Sequence, residues 1–576
     1  MINKKYIKEI IIDAIKKAQK EKKFKEFKIP DFTVEHPDRE DHGFYATNSA
    51  MVITPLAGLG DSSRTAEGIV DEIDKNAIKY FFPPEIKKPG FINFHPKNEF
   101  FQEQIAVILK EDKNFGKQNV GRNKTVIIDY SSPNVAKPMH VGHLRSTFIG
   151  QAIYNLYKFL GYKVIGDNHL GDWGTQFGMI IAGYKKYTNN ASELKNVTVS
   201  KMLDIYVRFN KEIENNPDMQ ETAKAEFKKL EQGDKENRKI WKILRETSLK
   251  EFNRIYDILG IKFDLIKGES DYEKELKYEI ENALKTKKAI RNEDGSIIIL
   301  LGKITPFLIQ KSDGATVYGT RDLATIRFRV EKYHPEKIIY VIGNGQSFYL
   351  EQLFKSAEIL GYIPAKNLYH VKFGLVLDEN HKKLATREGR VVNAEELINK
   401  IIGLAEKVIE NKNPKLSEKE RKKAAKIIGI GALKYNDLSQ NRHTDIIFDW
   451  GKMLSFEGNS APYLQYTYVR LRSILRKAKL GIFDAELLNK EEEIGIIKEL
   501  ARFPEIIEGA VYDFQVNNLA NHLFKLAGIV NNFYEKLPVL KAEKNVKSAR
   551  LALIKSASIV LRNGLNLLGI ETLEKM

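Results

Sequence analysis

The sequence predicts a multidomain α/β protein: a central parallel-sheet domain with a helical insertion, an α+β domain before it, and an all-α domain after it. Three observations point there. At 576 residues the chain is too long for one hydrophobic core, so three or four domains are expected. From Val126 to about Val392, apolar strand-like runs alternate with runs of helical period, the order of a βαβ array. Beyond Ala432 the apolar spacing is helical almost to the end. A composition of 43% hydrophobic and 10% aromatic residues is that of a globular chain, and no apolar run approaches the ~20 residues that span a bilayer. The first residues lack the apolar core and small-residue cleavage site of a secretory signal. With no cysteine there is neither a disulfide framework nor thiolate chemistry, and a cytoplasmic protein without membrane contact is expected.

In chain order, Ile7, Ile10, Ile11, Ala14, Ile15 and Ala18 mark an amphipathic helix that opens a domain running to about residue 119. Within it, Gly90 to His95 alternates aromatic and polar groups. An aromatic such as Phe91 beside the Asn93 amide suits stacking on an unpaired base and reading its edge. From the residues alone, a routine half-buried strand is the better reading.

The run Thr125 to Tyr130 reads as a buried strand, and Val141, Leu144, Phe148, Ala152, Leu156 and Leu160 recur at helical spacing. Between them lies a Pro- and Gly-containing loop. A strand, a loop and a helix N-terminus in that order offer free backbone N–H groups and a positive dipole end to a phosphate. His140 and His143 stand one helical turn apart, Gly142 removes a side chain beside them, and Lys137 adds a mobile charge. Two plainer readings compete, surface histidines or a metal pair. Without cysteine, and with His169 the nearest further histidine, zinc is not expected.

A second strand, Lys163 to Asp167, runs into the Gly-rich loop Asn168 to Gly178, where His169 is either a substrate-orienting or a structural histidine. Long charged helices from about residue 185 to 288 read as an insertion without chemistry of its own, except near Glu269. Tyr318 and Asp322 are spaced i, i+4, and Gln346 follows the strand Lys337 to Ile342 at its C-terminal edge. A planar guanidinium needs carboxylates set for bidentate acceptance, which Glu269 and Asp322 are able to supply. Lys382 to Arg390 is a basic turn in which Lys383 and Arg387 are available to clamp phosphate. Further on, Tyr463, Tyr466 and Arg470 interleave aromatic and basic groups, a mixture suited to splayed bases and phosphates. The formal charge of +17 favours a polyanionic partner only modestly, because abundant charge of both signs accompanies it.

The stretch Ser131 to Thr147 resembles the first signature of class I aminoacyl-tRNA synthetases, and in its wider wording the arginyl-tRNA synthetases. The likeness extends through Asn168 to Gly178, Ala432 to Arg442 and Phe448 to Asn459 to the closing segment ending at Met576. It implies four parts: an additional N-terminal domain (1–119) for the tRNA D-loop, a Rossmann-like catalytic domain (120–395) with its insertion at about 185–288, a connecting stem-contact segment (396–445), and a helical anticodon-binding domain (446–576). It implies arginine, ATP with Mg²⁺, and tRNA(Arg) as substrates and partners, acting on a monomer. His140, Gly142, His143 and Lys383 would meet ATP. Lys137, His140, His143, Lys383 and Arg387 would carry the chemistry. Asn134, His169, Glu269, Tyr318, Asp322 and Gln346 would hold arginine, and Phe91, Asn93, Tyr463, Tyr466, Arg470 and Met576 would meet tRNA. The second signature is degenerate: Leu384, Ala385 and Thr386 replace its Met, Ser and second Lys, and the family then uses a lysine where Lys137 stands. A non-catalytic tRNA-binding relative is the competing reading, and this erosion is its cue.

Overall fold

The computed structural model describes residues 3–37, 39–188, 197–378, 380–382, 384 and 392–575. The chain forms two compact units. One comprises Met1–Gly116 with Arg470–Glu508 and Lys525–Asn563; the other comprises Lys117–Val469 with Gly509–Phe524 and Gly564–Met576. Among the described residues no helix is long and apolar enough to cross a membrane.

In the first unit the helix Lys4–Lys20 buries Ile7, Ile10, Ile11, Ala14, Ile15 and Ala18, the stripe its spacing predicts. An antiparallel sheet beside it runs Val34–Glu35, Tyr45–Thr47, Phe91–Phe94 and Glu85–Lys87 across its width. Glu505, on the helix Glu491–Tyr512, accepts from the Lys4 backbone N–H at 3.1 Å and the Tyr45 hydroxyl at 3.0 Å, and lies 2.7 Å from His36 Nε2.

The second unit is built on five parallel strands. Across the sheet they run Leu368–His370, Lys337–Tyr340, Thr125–Asp129, Lys163–Leu170 and Leu265–Gly268. Val126, Ile127 and Ile128 are fully buried, as a strand covered on both faces requires. The chain winds outward from Thr125–Asp129 first to one side and then to the other. The order therefore reverses between Thr125–Asp129 and Lys337–Tyr340, and the crevice beyond those two strand ends is where such sheets bind ligands. Leu265–Gly268 pairs with Asp167–Leu170, which corrects the expectation that the insertion runs to about residue 288: the sheet resumes at Leu265. A further antiparallel sheet of Ile290–Arg291, Ile297–Leu301 and Ile304–Gln310 covers the main core with Ile297, Ile299, Phe307 and Ile309.

Two neighbouring strands carry acids in register: Asp129, at the end of its strand, stands opposite Asp167, within Lys163–Leu170. Like charges side by side destabilise a sheet. Arg329, on the helix Tyr318–Tyr333, resolves this: its guanidinium donates to Asp129 at 2.6 Å and to Asp167 at 2.7 and 3.0 Å, with all three groups buried. The last described segment belongs to this unit as well. The buried Lys434 ammonium donates to the Leu259 and Gly569 carbonyls at 2.7 and 2.6 Å, and the Asn155 amide donates to the Leu567 carbonyl at 3.1 Å. The C-terminal region is helical: Ala461–Lys477, Glu491–Tyr512, Val516–Lys536 and Lys544–Leu567.

Candidate active site

The loop after Thr125–Asp129 is strained and heavily tied. Ser131, Ser132 and Ala136 adopt φ values of 72, 45 and 65°, a region that residues other than glycine seldom occupy. Strain of that kind persists only where the surroundings over-determine it. Here the Ser131 N–H donates to Ser146 Oγ at 2.9 Å and the Ser132 N–H to Asn168 Oδ1 at 3.1 Å. The Ala136 N–H donates to Ser248 Oγ at 2.9 Å, and the Ser131 and Tyr256 hydroxyls meet at 2.7 Å. Ser248 and Tyr256 both belong to the helix Lys235–Leu259. The insertion was expected to have no chemistry of its own except near Glu269; its helix Lys235–Leu259 buttresses the loop, with Arg245 also paired to Asp172 at 2.7 Å. Sequence periodicity marks the helix but says nothing about which loop its polar face meets.

His140 caps the helix Val141–Phe159. Its Nδ1 accepts from the Gly142 N–H at 3.1 Å, while His143 Nδ1 accepts from the His140 N–H at 3.1 Å, and the rings stack at 3.7 Å. With both Nδ1 atoms accepting, each neutral ring carries its proton on Nε2, a donor free for a ligand. Burial lowers the His143 pKa to about 3, and burial together with Lys137 lowers that of His140. Both rings are thus uncharged donors at neutral pH. A Cβ on Gly142 would stand 3.0 Å from the His140 ring, so the absence of a side chain there serves the cap itself.

Across the crevice, Asn134 is exposed and forms a parallel bridge with Gly171, whose added Cβ would lie 2.2 Å from the Asn134 Oδ1. Asp322 accepts from the Tyr349 hydroxyl and lies 3.9 Å from His169 Nε2. Tyr318, 53% exposed, leans on Tyr349 with ring centroids 4.6 Å apart. Both ring nitrogens of His169 are buried with no hydrogen-bond partner. Glu269 accepts from Arg321 Nε at 2.9 Å, so one of the two expected carboxylates already holds a guanidinium of the chain itself. Burial, reinforced by the charge of Asp322, raises Glu269 to about 7, and burial, reinforced by Asp129, raises Asp322 to about 6. Gln346 is exposed on the turn into the helix Ser347–Leu360, three residues before Tyr349. Tyr349 itself was missed; its position one turn beyond Gln346 was the available signal.

The second signature loop leaves the strand Val376–Leu377 and returns at Val392, whose carbonyl accepts from the Val141 N–H at 3.3 Å. The Ala394 N–H donates to the Met139 carbonyl at 2.8 Å, so the loop's return is fastened to the first signature. Arg145 of the first-signature helix donates to the Leu375 and Thr444 carbonyls, both at 2.9 Å, which fixes the loop's departure. Lys383 and Arg387 lie outside the described residues.

Residues 104–450 match the family described as tRNA synthetases class I (R), catalytic domain. Residues 5–95 match the arginyl tRNA synthetase N terminal domain and residues 464–576 the DALR anticodon binding domain. The arginine--tRNA ligase of Fusobacterium nucleatum is 40% identical over 563 residues, 96% of each chain, and that of Clostridium botulinum 38% identical over 550 residues, 94% of this chain and 96% of the relative. The chain belongs to the arginyl-tRNA synthetase family. Its fold agrees: the structure of the Plasmodium falciparum arginyl-tRNA synthetase superposes with a TM-score of 0.85 at 27% identity, covering 100% of both chains.

For a member of the arginyl-tRNA synthetase family, the residues read as meeting nucleic acid are placed unevenly. Tyr466 is 45% exposed, with its ring edge toward Phe456 at 6.1 Å. Tyr463 is half-buried against Phe524, and Arg470 lies over the Tyr534 ring at 4.0 Å. Phe91 is half-buried, whereas Asn93 is 2% exposed and its side-chain oxygen has no hydrogen-bond partner. As the chain stands, the Asn93 amide does not face solvent, and Phe91 is the accessible member of the pair. Met576 lies outside the described residues.

Proposed function

We propose that this chain activates arginine with ATP and transfers it to tRNA(Arg), in the crevice at the sheet's switch point. What supports this reading is the pair of neutral imidazole donors at the helix N-terminus that follows Thr125–Asp129, together with the Asp322–Tyr349 pair. In the first step a carboxylate oxygen of arginine attacks the ATP α-phosphorus; the bond to the bridging oxygen breaks, giving arginyl-adenylate and pyrophosphate. His140 and His143 Nε2–H groups and the Lys137 ammonium would stabilise the negative charge on the phosphoryl oxygens, and no covalent enzyme intermediate is required. Asn134 would hold the amino-acid end, and Asp322 with Tyr318 and Tyr349 the guanidinium, with His169, Glu269 and Gln346 at the margins. In the second step the 2′-hydroxyl of the terminal adenosine attacks the arginyl carbonyl and AMP leaves.

Among the described residues no group of three or more His, Asp or Glu converges to hold a metal. Mg²⁺ in this reading arrives with the triphosphate, taking its ligands from phosphate and water, and no step is routed through it. Lys383 and Arg387 would close on the phosphates. Residues 1–119 would meet the D-loop through Phe91, the Asn93 amide being buried beneath it, 396–445 the stem, and 446–576 the anticodon through Tyr463, Tyr466, Arg470 and Met576. A cytoplasmic monomer belongs to the same proposal.

Activation is expected to require tRNA. Arginine-dependent ATP–pyrophosphate exchange, run with and without tRNA(Arg), tests both statements. Exchange only with tRNA supports them. Exchange without it overturns the tRNA requirement alone, and none under either condition overturns the enzyme reading.

A further inference from the structure

Lys137 stands at the mouth of the crevice, and what holds it there comes from the insertion. Its ammonium lies 4.6 Å from the ring centroid of Tyr206, on the helix Val199–Asn215. Leu203, Asp204, Val207 and Arg208 of the same helix line a cleft of about 690 Å³ together with Lys137 and His140. Among the described residues no carboxylate pairs with Lys137, and burial alone lowers its pKa. A lysine that must bind phosphate is poorly served by an acidic partner, which would occupy its N–H groups and cancel its charge. An aromatic face attracts the ammonium through its quadrupole and leaves those N–H groups free.

We propose that Tyr206 is a positioning residue for activation: its ring holds the Lys137 ammonium over the cleft, charged and unneutralised, where the triphosphate would arrive. This rests on the reading of Lys137 as a phosphate-binding cation. The phenol hydroxyl has no part in it; the ring does the holding. The insertion thus reaches the site twice, through Ser248 on the loop's backbone with Tyr256 on the Ser131 hydroxyl, and through Tyr206 on its lysine.

The test is ATP–pyrophosphate exchange by the full chain at saturating tRNA, with tRNA affinity and melting temperature measured in parallel. The variants are Lys137→Ala, Tyr206→Leu, Tyr206→Phe and the double Lys137→Ala/Tyr206→Leu. Tyr206→Met serves as a second ring-free variant in case Leu misfolds. Tyr206→Leu is expected to lower the exchange kcat about tenfold, the scale of a desolvated cation–π contact, with tRNA affinity and melting unchanged. Tyr206→Phe restores the rate, and in the Lys137→Ala background Tyr206→Leu has no additional effect. Wild-type exchange by Tyr206→Leu overturns the proposal, as does an equal loss with or without Lys137. A loss of tRNA affinity with normal exchange also overturns it and assigns the ring to RNA. If Lys137→Ala exchanges normally, the lysine's own role fails, an outcome separable from failure of Tyr206 alone.

Discussion

At the scale of single residues, the site is a set of groups held away from their ordinary protonation. His143, lowered to about 3, is a neutral donor across the whole working range. Asp322 and Glu269 move the other way, to about 6 and about 7, because burial disfavours their charged forms. In the proposed pocket a bound guanidinium needs Asp322 ionised, and Glu269 ionised to keep Arg321 in place. Below those values each proton must leave before arginine binds. The KM for arginine is therefore expected to rise as pH falls from about 8 to about 5.5, by up to roughly tenfold per unit per proton, and to level off above pH 8. Steady-state exchange kinetics across that range check it; a flat profile would remove these carboxylates from the pocket. Tyr349 and Arg321, which set the carboxylates' geometry, were not legible beforehand. A tyrosine or arginine on a helix looks the same in sequence whether it faces solvent or completes a pocket.

At the scale of elements, what could be read was local. The buried strand Thr125–Asp129 and the helix start at His140 both announce themselves through neighbouring residues, and each is found. The joining of distant elements could not be read. Nothing near Ser248 or Tyr206 in sequence indicates the loop they meet more than sixty residues away, and the strand Leu265–Gly268 was too short to stand out from the helices before it. Arg329 is the sharpest case, since one guanidinium ties a helix to two neighbouring strands. Arg329→Met leaves Asp129 and Asp167 facing each other without a cation. It is expected to destabilise the unit by about 3–5 kcal/mol, the range for breaking a buried ion pair on one side. Urea unfolding of the full chain measures this, and a change under 1 kcal/mol on the same axis, roughly one surface pair, would mean that the carboxylates find another partner.

At the scale of the whole molecule, the surplus of +17 was only weak evidence for a polyanion, and the family assignment gives it a destination. Binding tRNA through many phosphates releases counterions. Raising salt from about 50 to about 200 mM is expected to weaken tRNA affinity by orders of magnitude. Arginine binding at a buried carboxylate should change little over the same range. Filter binding and substrate titration at matched salt separate the two; parallel losses would contradict a phosphate-dominated contact.

The grip of Lys434 and Asn155 on the final segment bears on how the molecule is made. The unit that holds the crevice starts at Lys117 yet includes Gly564–Met576. A ribosome that has already translated every signature residue has therefore not yet supplied the carbonyls that accept from Lys434 and Asn155. Early folding of the sheet leaves that ammonium half-satisfied in an apolar setting until the last turns emerge. Completion of the catalytic half thus waits for Gly564–Met576, and a chain stalled before that segment would carry the whole apparatus of activation with its closing latch missing.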